Sequence, residues 1–209
     1  MSKSIEINHP WNAIHRTGGY PSDELVPGFF EALNLFRAHD CRRVLDLGCG
    51  SGRHTVGLEL EGFETVGLDI APSGLRITQR KLNTGLLPSR LVLGDFWFPL
   101  PFSSGSFDAV ISTQVIHHAR LAQVRLAIAE IGRVLRPGGL IFVSVGGKRG
   151  PDRAEEIEPG TIIPCEGLEA GLPHHIFSVE EAWAEFGMFQ IMDVSSRDNG
   201  RVILITGQK

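Results

Sequence analysis

Three aspartates close apolar runs along the chain: Asp46 after Val44-Leu45, Asp69 after Val66-Gly67-Leu68 and Asp95 after Leu91-Val92-Leu93-Gly94. Directly behind the first comes Gly48-Cys49-Gly50-Ser51-Gly52, the G-x-G-x-G spacing of a turn whose backbone must approach a ligand at a helix N-terminus. A pyrophosphate there would be repelled by Asp46, whereas the α-ammonium of a methionine moiety would be attracted to it. The pattern therefore favours an amino-acid-bearing cofactor over a dinucleotide. Asp69 stands where an acidic side chain accepts from both ribose hydroxyls, a feature that fits nicotinamide cofactors equally well. Asp95 is placed to accept from an exocyclic adenine amine, with Ile70 and Phe96 flanking the ring.

Histidine supplies a second set of groups. His117-His118 and His174-His175 form two adjacent pairs, and imidazole titrates close enough to neutrality to act as a general base. Packing and surface roles are the competing reading of each. No metal site is expected, because neighbouring side chains on a strand point to opposite faces and no Cys-x-x-Cys or His-x-x-x-His spacing accompanies the pairs.

These groups need elements to hold them. Leu25, Val26, Phe29, Phe30, Leu33 and Phe36 recur at helical spacing and predict a helix over 26–39, with Pro27 in its first turn. Residues 43–47 read as a buried strand, and the glycine turn then opens a helix over 53–61. The pattern repeats as strand 64–69, helix 72–83, strands 90–94 and 107–112, helix 121–135 and strand 140–145. Apolar strands alternating with helices predict a doubly wound, mostly parallel α/β sheet covered on both faces, in three layers. Residues 146–173 are rich in Gly, Pro and Glu without a clear period and read as a long loop or irregular cover. The span 146–177 is accordingly the expected substrate-side loop or lid. Ser178 with Glu181 forms a capping-box signal for a helix to about 186. Two strands, 189–194 and 201–207, flank the turn Arg197-Asp198-Asn199-Gly200, which makes the last strand antiparallel to its neighbour.

Five segments together carry a resemblance: Val44-Leu45-Asp46-Leu47-Gly48-Cys49-Gly50-Ser51-Gly52, Gly67-Leu68-Asp69-Ile70, Gly94-Asp95, the run from Leu100 to Val110, and Leu135-Arg136-Pro137-Gly138-Gly139. In order and spacing they resemble the class I S-adenosylmethionine-dependent methyltransferases of small molecules. The resemblance implies a Rossmann-like sheet of seven strands with the last antiparallel, S-adenosyl-L-methionine as cofactor and S-adenosyl-L-homocysteine as product. It implies that Gly48, Cys49, Gly50 and Gly52 belong to the cofactor turn, with Asp46 near the methionine amine. Asp69 would hold the ribose, Asp95 with Phe96 the adenine, and Gln114 the pocket wall past the fourth strand. Asp108 begins a strand in the family pattern and reads as structural.

Methyl transfer from a sulfonium needs alignment more than acid or base, and orientation alone supplies roughly 7–11 kcal/mol. His117, His118, His174 and His175 are the candidates should the acceptor have to lose a proton. Trp11, His15 and Tyr20 lie in an N-terminal stretch that either closes over the crevice, bringing aromatic faces to the sulfonium, or serves as a packing arm. Cys41, Cys49 and Cys165 form no framework, and thiolate chemistry on arsenic is poorly supported because Cys41 begins a strand and Cys49 lies in the glycine turn.

The whole chain bounds these readings. Its 209 residues predict one domain over 1–209, with 1–39 as N-terminal cover and helix. A formal charge of −4 with scattered basic residues disfavours nucleic acid as partner. No membrane span or export signal is legible, so a cytoplasmic location is expected. The expected partner is a small-molecule substrate, for a monomer or homodimer. The fourth strand ends in Ser112-Thr113-Gln114-Val115, without the Asn/Asp-Pro-Pro-Tyr/Phe cluster that holds a flipped base. Two other functions compete with the methyltransferase: a catalytically inactive module that binds the cofactor for a structural or regulatory purpose, and a nicotinamide-dependent oxidoreductase, which Asp46 and the turn spacing disfavour.

Overall fold

A computed structural model describes residues 9–18, 23–148 and 153–209. Seven strands form the main sheet in the order β3-β2-β1-β4-β5-β10-β9. They are β1 (Arg43–Leu47), β2 (Glu64–Asp69), β3 (Leu91–Leu93), β4 (Phe107–Thr113), β5 (Leu135–Gly146), β9 (Gln190–Arg197) and β10 (Val202–Gln208). β1 to β5 run parallel, and β10 inserts antiparallel between β5 and β9. The chain crosses from β3 at one edge to β4 beside β1, so the strand order reverses between β1 and β4. Open sheets bind ligands beyond the strand carboxyl ends at such a point.

Both faces of the sheet are buried. Leu45, Ile141 and Ile203 pack on one side against Val124, Ile128 and Ile131 of α5 (Leu121–Val134). Val44, Leu140 and Leu204 pack on the other against Phe29, Leu33 and Phe36 of α2 (Phe29–Ala38). Adjacent strand residues thus enter opposite cores, which is why these strands are apolar throughout rather than alternating. α3 (Arg53–Leu60) and α4 (Pro72–Thr84) link β1 to β2 and β2 to β3.

The N-terminal segment forms a short helix, α1 (Pro10–Arg16), pinned to the start of α4. The Ser73 N–H donates to Asn12 Oδ1 at 2.9 Å, and the Ser73 hydroxyl donates to the Asn12 carbonyl at 2.7 Å. Asn12 thereby satisfies an otherwise orphaned donor of the α4 first turn.

The segment 146–177, expected as a loop or irregular cover, departs from that expectation. It contains a three-stranded sheet, with β6 (Ala154–Glu158) antiparallel to β7 (Thr161–Pro164) and β7 antiparallel to β8 (His174–His175). The Ile176 and Phe177 N–H groups donate to the Gly160 and Gly146 carbonyls, tying it to the end of β5. α6 (Val179–Glu185) follows, its Ser178 hydroxyl accepting from the Glu181 N–H at 3.0 Å. Only half of the expected capping box forms there, because the Glu181 carboxylate is directed to His175. Among the described residues, no helix is long and apolar enough to cross a membrane.

Candidate active site

A cavity of about 1190 Å³ opens at the switch point. Small-molecule sites commonly span roughly 300–1,000 Å³, so this volume suits a cofactor and an acceptor together. One wall is the turn after β1. Gly48, with φ +79°, would place a Cβ 2.4 Å from the Val115 side chain, so only glycine fits both the backbone angle and the space. Gly50 also has positive φ, and its N–H donates to Asp69 Oδ2 at 2.8 Å. The second oxygen, Oδ1, accepts from the Ala71 N–H at 2.7 Å. Asp69 therefore faces the cavity with its orientation fixed by two backbone donors. Burial raises its pKa, the Ala71 and Gly50 donors oppose that rise, and His15 opposes it further.

The sequence candidates divide by position. Gly48, Cys49, Gly50, Asp69, Ile70, Phe96 and Gln114 line the cavity, as do Trp11, His15, His117, His118 and His174. Gln114 adopts a left-handed φ of 58° and its amide N–H donates to the Ser144 carbonyl and hydroxyl at 2.9 and 3.0 Å, which turns the chain out of β4 beneath the pocket. Asp46, Gly52, Asp95 and His175 are not on the cavity wall. Asp46 lies beneath the turn, 1% exposed, accepting from the Thr55 hydroxyl at 2.6 Å. Burial pushes its carboxyl up to about 7, with Thr55 opposing and Asp69 reinforcing the rise. At Gly52 a Cβ would meet Thr78 of α4 at 2.5 Å, so this glycine lets two helices approach. The Asp95 carboxylate accepts from the Trp97 N–H at 2.9 Å, closing the turn that presents Phe96. Tyr20 lies outside the described residues. Asp108 accepts from the Arg42 and Arg43 N–H groups and pairs with Arg136, a structural role as its strand position implied.

A further part of the cavity wall is made of histidine and glutamate. His174 and His175 occupy a strand and face apart as expected. His174 enters the cavity, while His175 is held from behind by Thr161 at 2.8 Å and Glu181 at 2.9 Å. His117 and His118 do not face apart, because β4 has ended at Thr113 and the chain is turning. Their rings lie 4.0 Å apart, and the His118 ring lies 4.6 Å from that of His174. Burial drives the His118 imidazole below its ordinary pKa and the His117 imidazole far below it.

Glu169, unremarked in the sequence, completes this wall. One oxygen lies 2.9 Å from His174 Nε2 and the other 3.4 Å from His118 Nε2. Ligand-capable atoms of His118, Glu169 and His174 all lie within 4.8 Å of one another. Short spacings in the sequence carry no sign of this cluster. The set is assembled by the fold across 51 to 56 positions of chain, where no short motif could announce it.

Further groups escaped sequence reasoning. Asp198, Asn199 and Arg201 reach the cavity from the β9–β10 turn, and Asp198 and Asn199 have positive φ there. His54 lines the pocket as a structural histidine. Its Nε2 accepts from the Val26 N–H at 3.2 Å and its Nδ1 lies 2.9 Å from the Thr113 hydroxyl. Burial, aided by Arg53, lowers its pKa to about 3, so it stays neutral. The Cys49 thiol touches the cavity, but burial raises its pKa well above the ordinary value and withholds the thiolate.

Residues 45–143 match the family described as a methyltransferase domain. An uncharacterized methyltransferase of Synechocystis sp. is 37% identical over 99 residues, which are 47% of this chain and 44% of that protein. The demethylmenaquinone methyltransferase of Thermus thermophilus is 38% identical over 104 residues, 49% of this chain and 46% of that protein. The matches thus span under half the length of these two relatives. A crystal structure of a SAM-dependent methyltransferase from Methanosarcina mazei shares the fold with a TM-score of 0.73 at 21% identity, over 89% of this chain and 98% of that one.

Proposed function

We propose that this chain, which belongs to the class I S-adenosylmethionine-dependent methyltransferases, methylates a small-molecule acceptor in the cavity at its switch point. Bound S-adenosylmethionine supplies an electrophilic methyl group on a sulfonium, leaving S-adenosylhomocysteine as product. The residues present fit that cofactor: a backbone turn that only glycine can make, a carboxylate oriented by two N–H donors, and Ile70 with Phe96 as apolar flanks.

Asp69 accepts from the ribose hydroxyls, and Gly48 to Gly50 bring the backbone against the methionine portion. Asp46 acts from beneath. Burial makes its ionised form costly, and an ammonium group overhead would favour that form. Asp95 positions Phe96 against adenine through the Trp97 N–H rather than touching the base itself. His15 closes the cofactor end beside Gly50 while Trp11 packs edge-on against His118, both carried there by the two bonds between Asn12 and Ser73.

The observation that carries a small-molecule acceptor is the lid. Glu166, Gly167, Glu169 and His174 line the cavity from this segment, and β8, which carries His174, is backed by β7 and β6; such a cover favours a small acceptor over a polymer. The demethylmenaquinone methyltransferase name among the relatives accords with a small acceptor. Calorimetric titration with S-adenosylmethionine and separately with NADH tests the cofactor, and tight binding of NADH alone would overturn the reading. A screen across phenols, thiols, amines and carboxylates for S-adenosylhomocysteine release tests the reaction. Absence of turnover across all four classes would leave cofactor binding as the chain's activity.

A further inference from the structure

His118 and His174 face Glu169 in a manner that calls for a positive charge among them. His118 Nδ1 lies 3.1 Å from the Val115 carbonyl, and His174 Nδ1 lies 2.9 Å from the Leu172 carbonyl. A carbonyl only accepts, so both Nδ1 atoms carry hydrogen. In the neutral tautomers each Nε2 then presents a lone pair, and both are aimed at the Glu169 carboxylate. Lone pairs and a carboxylate repel one another unless a proton or a metal ion lies between them.

Protons fill this role poorly. The side chains of His118, His174 and Glu169 are 7%, 8% and 16% exposed. Two imidazolium ions would share a single carboxylate, with the His117 ring packed 4.0 Å from one of them.

We propose that His118, Glu169 and His174 bind a divalent transition-metal ion, with its open coordination positions turned into the cavity. The donor set selects the ion class. Two imidazoles and one carboxylate suit Zn²⁺ and its first-row neighbours, whereas Mg²⁺ and Ca²⁺ prefer oxygen ligands. The Nδ1 contacts to backbone carbonyls are the outer-shell bonds that orient ligating imidazoles. Ligand atoms about 2.0–2.2 Å from a tetrahedral zinc lie roughly 3.3–3.5 Å from one another, and the Glu169 oxygens lie 2.9 and 3.4 Å from the two imidazole nitrogens.

Three protein ligands leave room for an exogenous one. Resting on the methyltransferase reading, the metal would take an acceptor hydroxyl or thiol as that ligand. Coordination lowers the pKa of the bound group, so its proton passes to water and the oxygen or sulfur stays on the metal as an anion. His117, whose buried Nδ1 has no hydrogen-bond partner among the described residues, lines the same chamber and is placed to contact the acceptor.

The test begins with metal-free protein, prepared with a chelator and titrated calorimetrically with ZnSO₄, with MgCl₂ as comparison. The expected result is one Zn²⁺ per chain, retained through dialysis, with no measurable Mg²⁺ binding. Glu169→Gln and His174→Ala should each weaken Zn²⁺ at least tenfold, and Co²⁺ substitution should give visible d–d absorption that both variants lose. Equal Zn²⁺ affinity in the variants would place the ion elsewhere and overturn the proposal. So would failure to bind Zn²⁺ together with imidazole ¹⁵N shifts showing His118 and His174 doubly protonated at neutral pH. Should a variant fail to fold, the ¹⁵N shifts of the wild-type rings with and without Zn²⁺ decide the question. Titration with S-adenosylmethionine reports on the other reading independently. Lost cofactor binding in wild type refutes the methyltransferase, whereas lost Zn²⁺ binding with the cofactor retained refutes only the metal.

Discussion

On the side of the cavity formed by β1 and β2, backbone makes the wall. Gly48 and Gly50 turn there with positive φ, their N–H groups and that of Ala71 end on fixed acceptors, and the Asp69 carboxylate is locked at both oxygens. Across the chamber, side chains make the wall: His117, His118, Glu169 and His174, three of them brought together only by the tertiary fold. The first construction is rigid and suits a ligand shared by a whole family. The second can be altered residue by residue without disturbing the sheet, which suits a site that specifies an acceptor.

The contrast is most severely tested at Gly48. Gly48→Ala combines a left-handed backbone that costs about 1–2 kcal/mol in an L-residue with a clash against Val115 worth roughly 1–3 kcal/mol. Urea denaturation should show a loss of about 2–5 kcal/mol, and adding Val115→Ala should restore the steric share only. A neutral Gly48→Ala would mean that the turn is not the rigid half.

Next in size is Asp69→Ala, which removes the proposed ribose acceptor and strips the Gly50 and Ala71 N–H groups of theirs. Hydrogen bonds to charged groups contribute about 1.5–3 kcal/mol, so S-adenosylmethionine should bind roughly 10- to 100-fold more weakly by calorimetry. Asp95→Ala should cost less, since that carboxylate acts through Phe96. Equal losses would put Asp95 in contact with the ligand after all.

Asp46 sharpens the comparison through pH. Its folded carboxyl titrates near 7, while an unfolded aspartate titrates near 3.9. Between these values the folded chain holds a proton that the unfolded chain has lost, so this group makes stability fall as pH rises from about 4 to 7 and leaves it level above. One proton gives a slope of at most about 1.4 kcal/mol per pH unit. Asp46→Asn should remove that slope, gaining on the wild type as pH climbs through the window. Parallel stability profiles for the two proteins would show that Asp46 is ionised throughout.

How legible each half was follows from the same difference. β1 and β2 are legible because, past the exposed Arg43 and Glu64 at their starts, every residue is buried and most are apolar. The glycine turn is local, so its spacing survives in the sequence. β5 begins at Leu135, earlier than the run from Leu140, because Leu135 pairs with Phe107 before the register shifts. The lid sheet left no period. Ala154-Glu155-Glu156 is exposed on both faces, and a strand without a buried face carries no alternation. Glu169 is meaningful only beside His118 and His174, and proximity across 51 positions has no local signature. His117-His118 was read with strand geometry, yet the strand had already ended.

The smallest effect is expected at Ser178, and it asks whether the lid is held by its caps or by its side-chain bonds. Ser178→Ala removes the acceptor for the Glu181 N–H and should cost about 1 kcal/mol. The Glu181 carboxylate is engaged with His175 Nε2 rather than with the cap, so β8 keeps its tether to α6 in this variant. Cofactor affinity should then be unchanged, and Zn²⁺ affinity with it, because His174 keeps its place on β8. Glu181→Gln keeps the cap and weakens the tether instead, and by the same reasoning should perturb the His174 side of the chamber while sparing the Asp69 side. If Ser178→Ala weakened S-adenosylmethionine as much as Glu181→Gln disturbed Zn²⁺, the two walls would be coupled through α6, and their division into a rigid half and an adaptable half would fail.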